Sequence, residues 1–249
     1  MVILKQPEEI EKIRASNLVV AEVLKELQKF VMPGITTREL DRIAEELSHS
    51  RKVQPAFKGY MGYPFSLCTS VNEEVVHGLP SDRVLLEGDI VSLDFGVYHA
   101  GYYGDAAITV PVGKISLRAA RLLRETEGSL SDAIKAAKAG SRLGDVSFAV
   151  QSRVEASGFS VVRDFVGHGI GRRLHEDPQI PNYGVAGRGI ELKVGMVLAI
   201  EPMVNAGKYN VKVKPDGWTV VTEDSQLSAH FEHSVAITEA GPVILSQLQ

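Results

Sequence analysis

Apolar residues recur at near-helical spacing across residues 7–31, at Ile10, Ile13, Leu18, Val20, Val23, Leu24 and Leu27, and Met32-Pro33-Gly34 then stops the pattern. This predicts one long amphipathic helix. A second is expected from Thr36-Thr37-Arg38-Glu39, which has capping-box form, onward through Leu40, Ile43, Ala44 and Leu47. The period then changes. Across residues 89–112 the segments DIVSLDFGVY and DAAITVPV are β-branched and aromatic, and the turn His99-Ala100-Gly101-Tyr102-Tyr103-Gly104 separates them. They predict a β-hairpin.

The second half repeats that order, with helical patterns over about 117–138 and 144–156 followed by strand-like GMVLAIEPMV and AHFEHSVAIT. Gly34 has a counterpart in Gly140 and Asp94 one in Glu201, at offsets of 106 and 107 residues. Two similar half-domains, about 1–115 and 116–249, each contributing acids from paired strands, account for this echo. With no low-complexity linker between them, the expectation is a single α+β domain over 1–249 whose site lies where the halves meet.

Composition narrows the class. A chain of 249 residues, 44% hydrophobic and 23% charged, buries a sizeable core. A net charge of -4 gives no global attraction to nucleic acid or an anionic membrane. The single cysteine, Cys68, forms no internal disulfide and no thiolate-rich metal site, which fits a reducing cytoplasm. Lys5, Glu8 and Glu9 follow the short apolar start too closely for a signal peptide, and no apolar run reaches the roughly 20 residues of a membrane span. A cytoplasmic monomer is expected.

Four acids do not fit their surroundings. Asp94 lies in Ile90-Val91-Ser92-Leu93-Asp94-Phe95, and Glu201 ends Met196-Val197-Leu198-Ala199-Ile200. Asp105 opens the second hairpin strand, and Glu232 precedes Val235-Ala236-Ile237. A lone carboxylate in such a run is costly to bury. Any one of them reads as an edge acid or ion-pair partner, but together they call for a cation, since close like charges otherwise repel. His168, in Val166-Gly167-His168-Gly169-Ile170-Gly171, joins them because flanking glycines let the backbone approach a ligand and leave the imidazole free. His49 and His99 read as surface histidines. Four carboxylates and one imidazole suit manganese, ferrous iron, cobalt or magnesium better than a structural zinc. Two ions about 3.5–4 Å apart can hold a bridging hydroxide and polarise a carbonyl. Amide hydrolysis is the reaction class that follows.

The order Asp94, Asp105, His168, Glu201, Glu232 resembles the metal-ligand order of the pita-bread metallopeptidases, over nearly the whole chain. Within that superfamily NEEVVHGLP, VGHGIGRRLHEDP, AIEPMV and HFEHSVAIT are most similar to the type I methionine aminopeptidases. The resemblance implies two pseudo-symmetric halves around a curved antiparallel sheet, with helices outside. It implies release of the initiator methionine from nascent chains, at the ribosome, when the next residue is small. The cofactors implied are two divalent ions, cobalt, manganese or ferrous iron with zinc also compatible, and a monovalent cation near Asn72. By motif, His77 resembles the histidine that assists the leaving amine, and His175 the one that contacts the substrate and supports the tetrahedral intermediate. Glu201 resembles the metal ligand that also takes the proton from the attacking water. Tyr60, Tyr63, Cys68, Leu174 and Trp218 fall at the family's side-chain pocket positions, with Leu174 where some relatives carry an aromatic residue and Phe57 where some carry a small thiol.

Two other readings remain. The five ligands alone do not separate this branch from Xaa-Pro peptidases, although those usually carry an extra amino-terminal domain and this pattern begins almost at residue 1. A non-catalytic pita-bread binding protein is the other, and an intact set of five ligands and two assisting histidines argues against it.

Overall fold

The computed structural model describes residues 2–248, so Met1 and Gln249, the ends of the expected 1–249 domain, lie outside the described residues. Helix α1 spans Pro7–Phe30, with Pro7 in its first turn beside Glu8 and Glu9, whose charges favour a helix N-terminus. Val31 is already extended, ahead of Met32, the residue that Pro33 disfavours in a helix. Helix α2, Thr37–Ser50, is capped by Thr36, whose side chain accepts from the Glu39 N–H at 3.2 Å. The Glu39 carboxylate turns to Arg42 instead of back to Thr36, so only half of the expected capping box forms.

Helices α3, Leu117–Ala136, and α4, Leu143–Ala156, repeat the arrangement. Helix α3 stops two residues before the expected 138, where Ala137 leaves helical geometry ahead of Gly140. The Gly34–Gly140 echo has a structural cause. Both glycines have positive φ (98° and 86°), which glycine adopts at no steric cost. The Gly34 N–H donates to Leu85 O at 2.8 Å while Leu85 N–H donates to Ile35 O. The Gly140 N–H donates likewise to Leu192 O at 2.9 Å while Leu192 N–H donates to Ser141 O. One clasp is built twice.

The main sheet has nine strands and is antiparallel throughout its pairings. From one edge it runs Gln54–Pro55, Ile90–His99, Tyr102–Pro111, Glu232–Thr238, Val197–Ile200, Gly167–Gly169 and Glu176–Ile180, with Cys68–Val71 and Gly241–Ile244 branching from it. The expected hairpin forms through a tighter turn than the six residues anticipated. Ala100 and Gly101, at φ 50° and 89°, make a two-residue turn matched to strand twist. Asp105 therefore lies inside its strand, opposite Gly96, and not at its start.

GMVLAIEPMV and AHFEHSVAIT, each expected as one strand, are both broken. Pro202 has no N–H for the ladder, so Val197–Ile200 and Met203–Asn205 belong to different sheets. Ser228–His230 and Glu232–Thr238 part at the same level, at Phe231. Ile200 pairs with His233 before the bend and Met203 with His230 after it, so Glu201 and Glu232 face each other across it.

Alternation separates core from site. Val91, Leu93, Phe95, Val97, Ala106 and Val110 pack under α1 and α2 against Val20, Leu24, Leu27, Leu40 and Ile43. Leu198, Ile200, Val235 and Ile237 pack under α3 and α4 against Leu122, Leu130, Ile134, Val146 and Val150. Each fully buried Leu or Ile contributes about 1.5–3 kcal/mol, which gives the helix-covered face its rigidity. No helix among the described residues is long and apolar enough to cross a membrane.

Candidate metal centre and substrate pocket

The face turned away from the helices carries the acids. Asp94 is paired with Ala107, and Asp105, two residues before Ala107, projects to the same side. Glu232 also pairs with Ala107, and Glu201 faces Glu232 across the bend. His168 pairs with Ala199, two residues before Glu201. Two-residue periodicity thus turns all five side chains into one cavity, between strands of the first half and strands of the second.

Asp105 and Glu232 are buried, at 4% and 2% exposure, and burial is the largest cause pushing both well above the usual carboxylate range. Burial likewise raises Asp94 to about 7 and Glu201 to about 8. One oxygen of each of Asp94, Asp105 and Glu232 has no hydrogen-bond partner. Four carboxyls in one largely buried site, three of them with an unpartnered oxygen, are unfavourable by themselves, and a divalent cation removes the conflict. Ligand atoms of Asp105, His168 and Glu232 all lie within 4.8 Å of one another. The His168 Nδ1 is bonded to the Gly169 carbonyl at 2.9 Å, which makes it the N–H and leaves Nε2 as the lone pair. That Nε2 lies 3.6 Å from Glu201 Oε1 and 4.0 Å from Asp105 Oδ2. Burial first, then His175, lowers His168 to about 3, so the imidazole is neutral, as a ligand must be. The donor set fits a metal.

The glycines beside His168 have another reason than ligand approach. A Cβ on Gly167 would sit 2.4 Å from Ala199 O, and one on Gly169 2.2 Å from Asp177 O. They are glycines because neighbouring strands close in on both sides of the histidine.

A cavity of about 570 Å³ opens onto this cluster, and the twelve residues given metal, catalytic or side-chain pocket roles by the sequence line it, whereas Asn72 does not. Its apolar end holds Tyr63, Cys68, Leu174 and Trp218, with Phe57 beside them. The Tyr63 hydroxyl donates to Leu67 O and Gly78 O, which turns its ring edge-on to Trp218 at 5.1 Å between centroids. Asp216 Oδ1 accepts from the Trp218 and Thr219 N–H groups and fixes the loop carrying the indole. Burial raises the Cys68 thiol well above its ordinary value, so it is a neutral wall atom and not a nucleophile.

His77 also lines the cavity, at φ 58°, a left-handed conformation rare outside glycine and asparagine, with its ring edge-on to Phe165. Burial is the main cause that lowers it to about 4. His175 sits at the exposed mouth, its ring 4.3 Å from that of His168 and its Nδ1 2.8 Å from the Tyr60 hydroxyl. His230 had not been singled out. It is 1% exposed, neither ring nitrogen has a hydrogen-bond partner, and Nε2 lies 3.5 Å from Glu201 Oε2. A histidine two residues before Glu232 was the available signal, since alternation puts both on one face.

The sequence profile of metallopeptidase family M24 matches residues 11–239. The chain belongs to metallopeptidase family M24. Among curated members, a methionine aminopeptidase of Clostridium perfringens is 54% identical over 249 residues, covering 100% of both chains. Methionine aminopeptidase 1 of Bacillus subtilis is 53% identical, again over 100% of both. The solved methionine aminopeptidase of Thermotoga maritima superposes with a TM-score of 0.98 at 52% identity over 100% of both chains. The prolidase of Pyrococcus furiosus shares the fold at TM-score 0.81 and 24% identity, and this chain spans 66% of it. The pita-bread architecture, two pseudo-symmetric halves with helices on the outer face of a curved antiparallel sheet, is that of these relatives.

Proposed function

We propose that this chain is a methionine aminopeptidase that releases the initiator methionine from nascent polypeptides when the following residue is small. One juxtaposition carries the reading: the apolar pocket of Tyr63, Cys68, Leu174 and Trp218 opens within the same cavity onto the buried acids and His168. An unbranched apolar side chain enters that pocket, and its peptide bond then lies against the cluster.

Asp94, Asp105, His168, Glu201 and Glu232 are the proposed holders of two divalent ions, of a kind that four carboxylates and an imidazole accept: cobalt, manganese, ferrous iron or zinc. Such ions, when bound, polarise the scissile carbonyl and make water nucleophilic at neutral pH. The chain's own groups handle protons and orientation. Glu201, whose ionised form divalent cations would favour, takes a proton from water and returns it to the leaving amine. With the Tyr60 hydroxyl donating to Nδ1, His175 keeps an Nε2–H to donate to the substrate carbonyl oxygen as charge develops there. His77, held neutral by burial, faces the scissile bond from the other wall and accepts or donates one hydrogen bond to the leaving nitrogen.

The Asn72 side chain is already engaged, donating to Asp89 and accepting from the Ile90 N–H, so a monovalent cation beside it would be held by main-chain carbonyls. Action on emerging chains at the ribosome, as a cytoplasmic monomer and as one catalytic unit over 1–249, completes the reading. The test is release of the amino-terminal residue from Met-Ala-Ser, Met-Leu-Ser and Ala-Pro-Ser peptides before and after chelation, with several divalent metals added back. Metal-dependent cleavage of Met-Ala-Ser alone is expected. Full activity without metal, or preference for Ala-Pro-Ser, would overturn it.

A further inference from the structure

Lys5 and Glu176 form an ion pair at 2.6 Å across 171 residues of chain, with side chains only 4% and 2% exposed. Charged groups are rarely buried so completely without a task, because desolvation cancels much of their attraction. Glu176 immediately follows His175. Its other oxygen, Oε1, accepts from the Arg173 N–H at 3.1 Å, so one carboxylate ties both ends of the Arg173–Leu174–His175 turn.

Lys5 is itself anchored. Its N–H donates to Gly195 O at 2.7 Å, next to the strand that leads to Glu201, and its Nζ also donates to Ile3 O at 3.1 Å. The site is built around the pair. A Cβ on Gly171 would lie 2.7 Å from Lys5 Cε and 2.9 Å from Glu176 Oε1, and one on Gly195 2.8 Å from Lys5 O. Two further tethers hold the same loop: the Tyr103 N–H donates to Gly171 O at 2.8 Å, and Arg172 donates to Glu9, which also accepts from Tyr102.

We propose that Lys5, through its buried ion pair with Glu176, is a positioning residue for His175, fixing the loop that sets this imidazole against His168 and the substrate carbonyl. The inference rests on the role given to His175 above. The amino-terminal strap thereby couples the strand end bearing Glu201 to the loop bearing His175, two groups that must meet one peptide bond. A displacement of about 1 Å between such groups costs on the order of 100-fold in rate.

The experiment is a cycle in the metal-loaded protein with Met-Ala-Ser peptide: Lys5→Met, Lys5→Arg, His175→Ala and the double variant, with metal content and melting temperature measured for each. Lys5→Met is expected to lower kcat at least tenfold while KM and metal content stay within twofold, and Lys5→Arg to recover most of that loss. In the His175→Ala background Lys5→Met should change kcat less than twofold, because its effect passes through the missing imidazole. Wild-type kcat in Lys5→Met, or losses that multiply in the double variant, would overturn the proposal. Should Lys5→Met fail to fold, Glu176→Gln removes the charge pair and keeps the side-chain shape. The His175 imidazole NMR signals are then expected to shift while those of His77 do not; unchanged His175 signals refute the coupling. That readout needs no turnover, so it remains decisive even if wild-type protein cleaves no methionine and the functional reading itself fails.

Discussion

Four buried carboxyls without a cation make the metal-free protein sensitive to rising pH, and the size of the effect follows from their environment. An unfolded Asp or Glu is ionised above about pH 5. In the metal-free fold, burial pushes Asp105 and Glu232 well above the carboxylate range and Glu201 to about 8. Between pH 6.5 and 8 the native state therefore binds more protons than the unfolded chain, and stability falls as pH rises. Each carboxyl that stays protonated contributes about 1.4 kcal/mol per pH unit. Glu201 alone, raised to about 8, costs about 2 kcal/mol across that window, on the order of 5 °C in melting temperature for a chain of this size, and Asp105 and Glu232 act in the same direction. The lowered histidines act below it. His77, lowered to about 4, and His168, lowered to about 3, stay neutral while an unfolded imidazole protonates below about pH 6.5, so acid also destabilises. Metal-free protein should be most stable just below neutrality. Calorimetry or thermal circular dichroism at half-unit pH steps, on chelated and manganese-loaded protein, measures this. Glu232→Gln should reduce that slope in the metal-free form. A metal-free melting temperature that is flat or rises from pH 6.5 to 8, or the same slope in Glu232→Gln, would refute the reasoning.

Two further outcomes are expected. His77→Ala should lose on the order of 100-fold in turnover with metal content unchanged, because His77 lies outside the carboxylate set; wild-type turnover, read in the peptide assay beside elemental analysis, would remove it from the chemistry. Gly167→Ala should destabilise by about 1–3 kcal/mol and weaken metal binding, because the added Cβ meets Ala199 O at 2.4 Å and Glu201 Cγ at 3.3 Å. Unchanged melting and metal titration would show that the glycine is not needed for strand approach.

The helices and the central hairpin were legible because their signals are local: apolar period, caps and β-branched runs on either side of a glycine-containing turn. The anomalous acids were legible for a related reason, since each is an interruption in an otherwise apolar strand. Less visible were features that depend on which strands become neighbours. His230 was passed over because nothing in its own segment shows that its ring nitrogens lie unpartnered beside Glu201. The glycines around His168 were assigned to ligand approach because the closeness of Ala199 and Asp177 is invisible along the chain. The break at Pro202 was written in the sequence as a missing N–H, but its consequence, two acids facing each other at a bend, required the partner strand.

By itself the sequence determined the alternation that puts Asp94, Asp105, Glu201 and Glu232 on the uncovered faces of their strands, and the motif order that names the family. Tertiary structure alone decided that these faces meet. Antiparallel register brings Ala107 opposite both Asp94 and Glu232, and a buried ion pair closes Lys5 onto Glu176. Side-chain period is a property of the chain, whereas register and desolvation are properties of what packs against it.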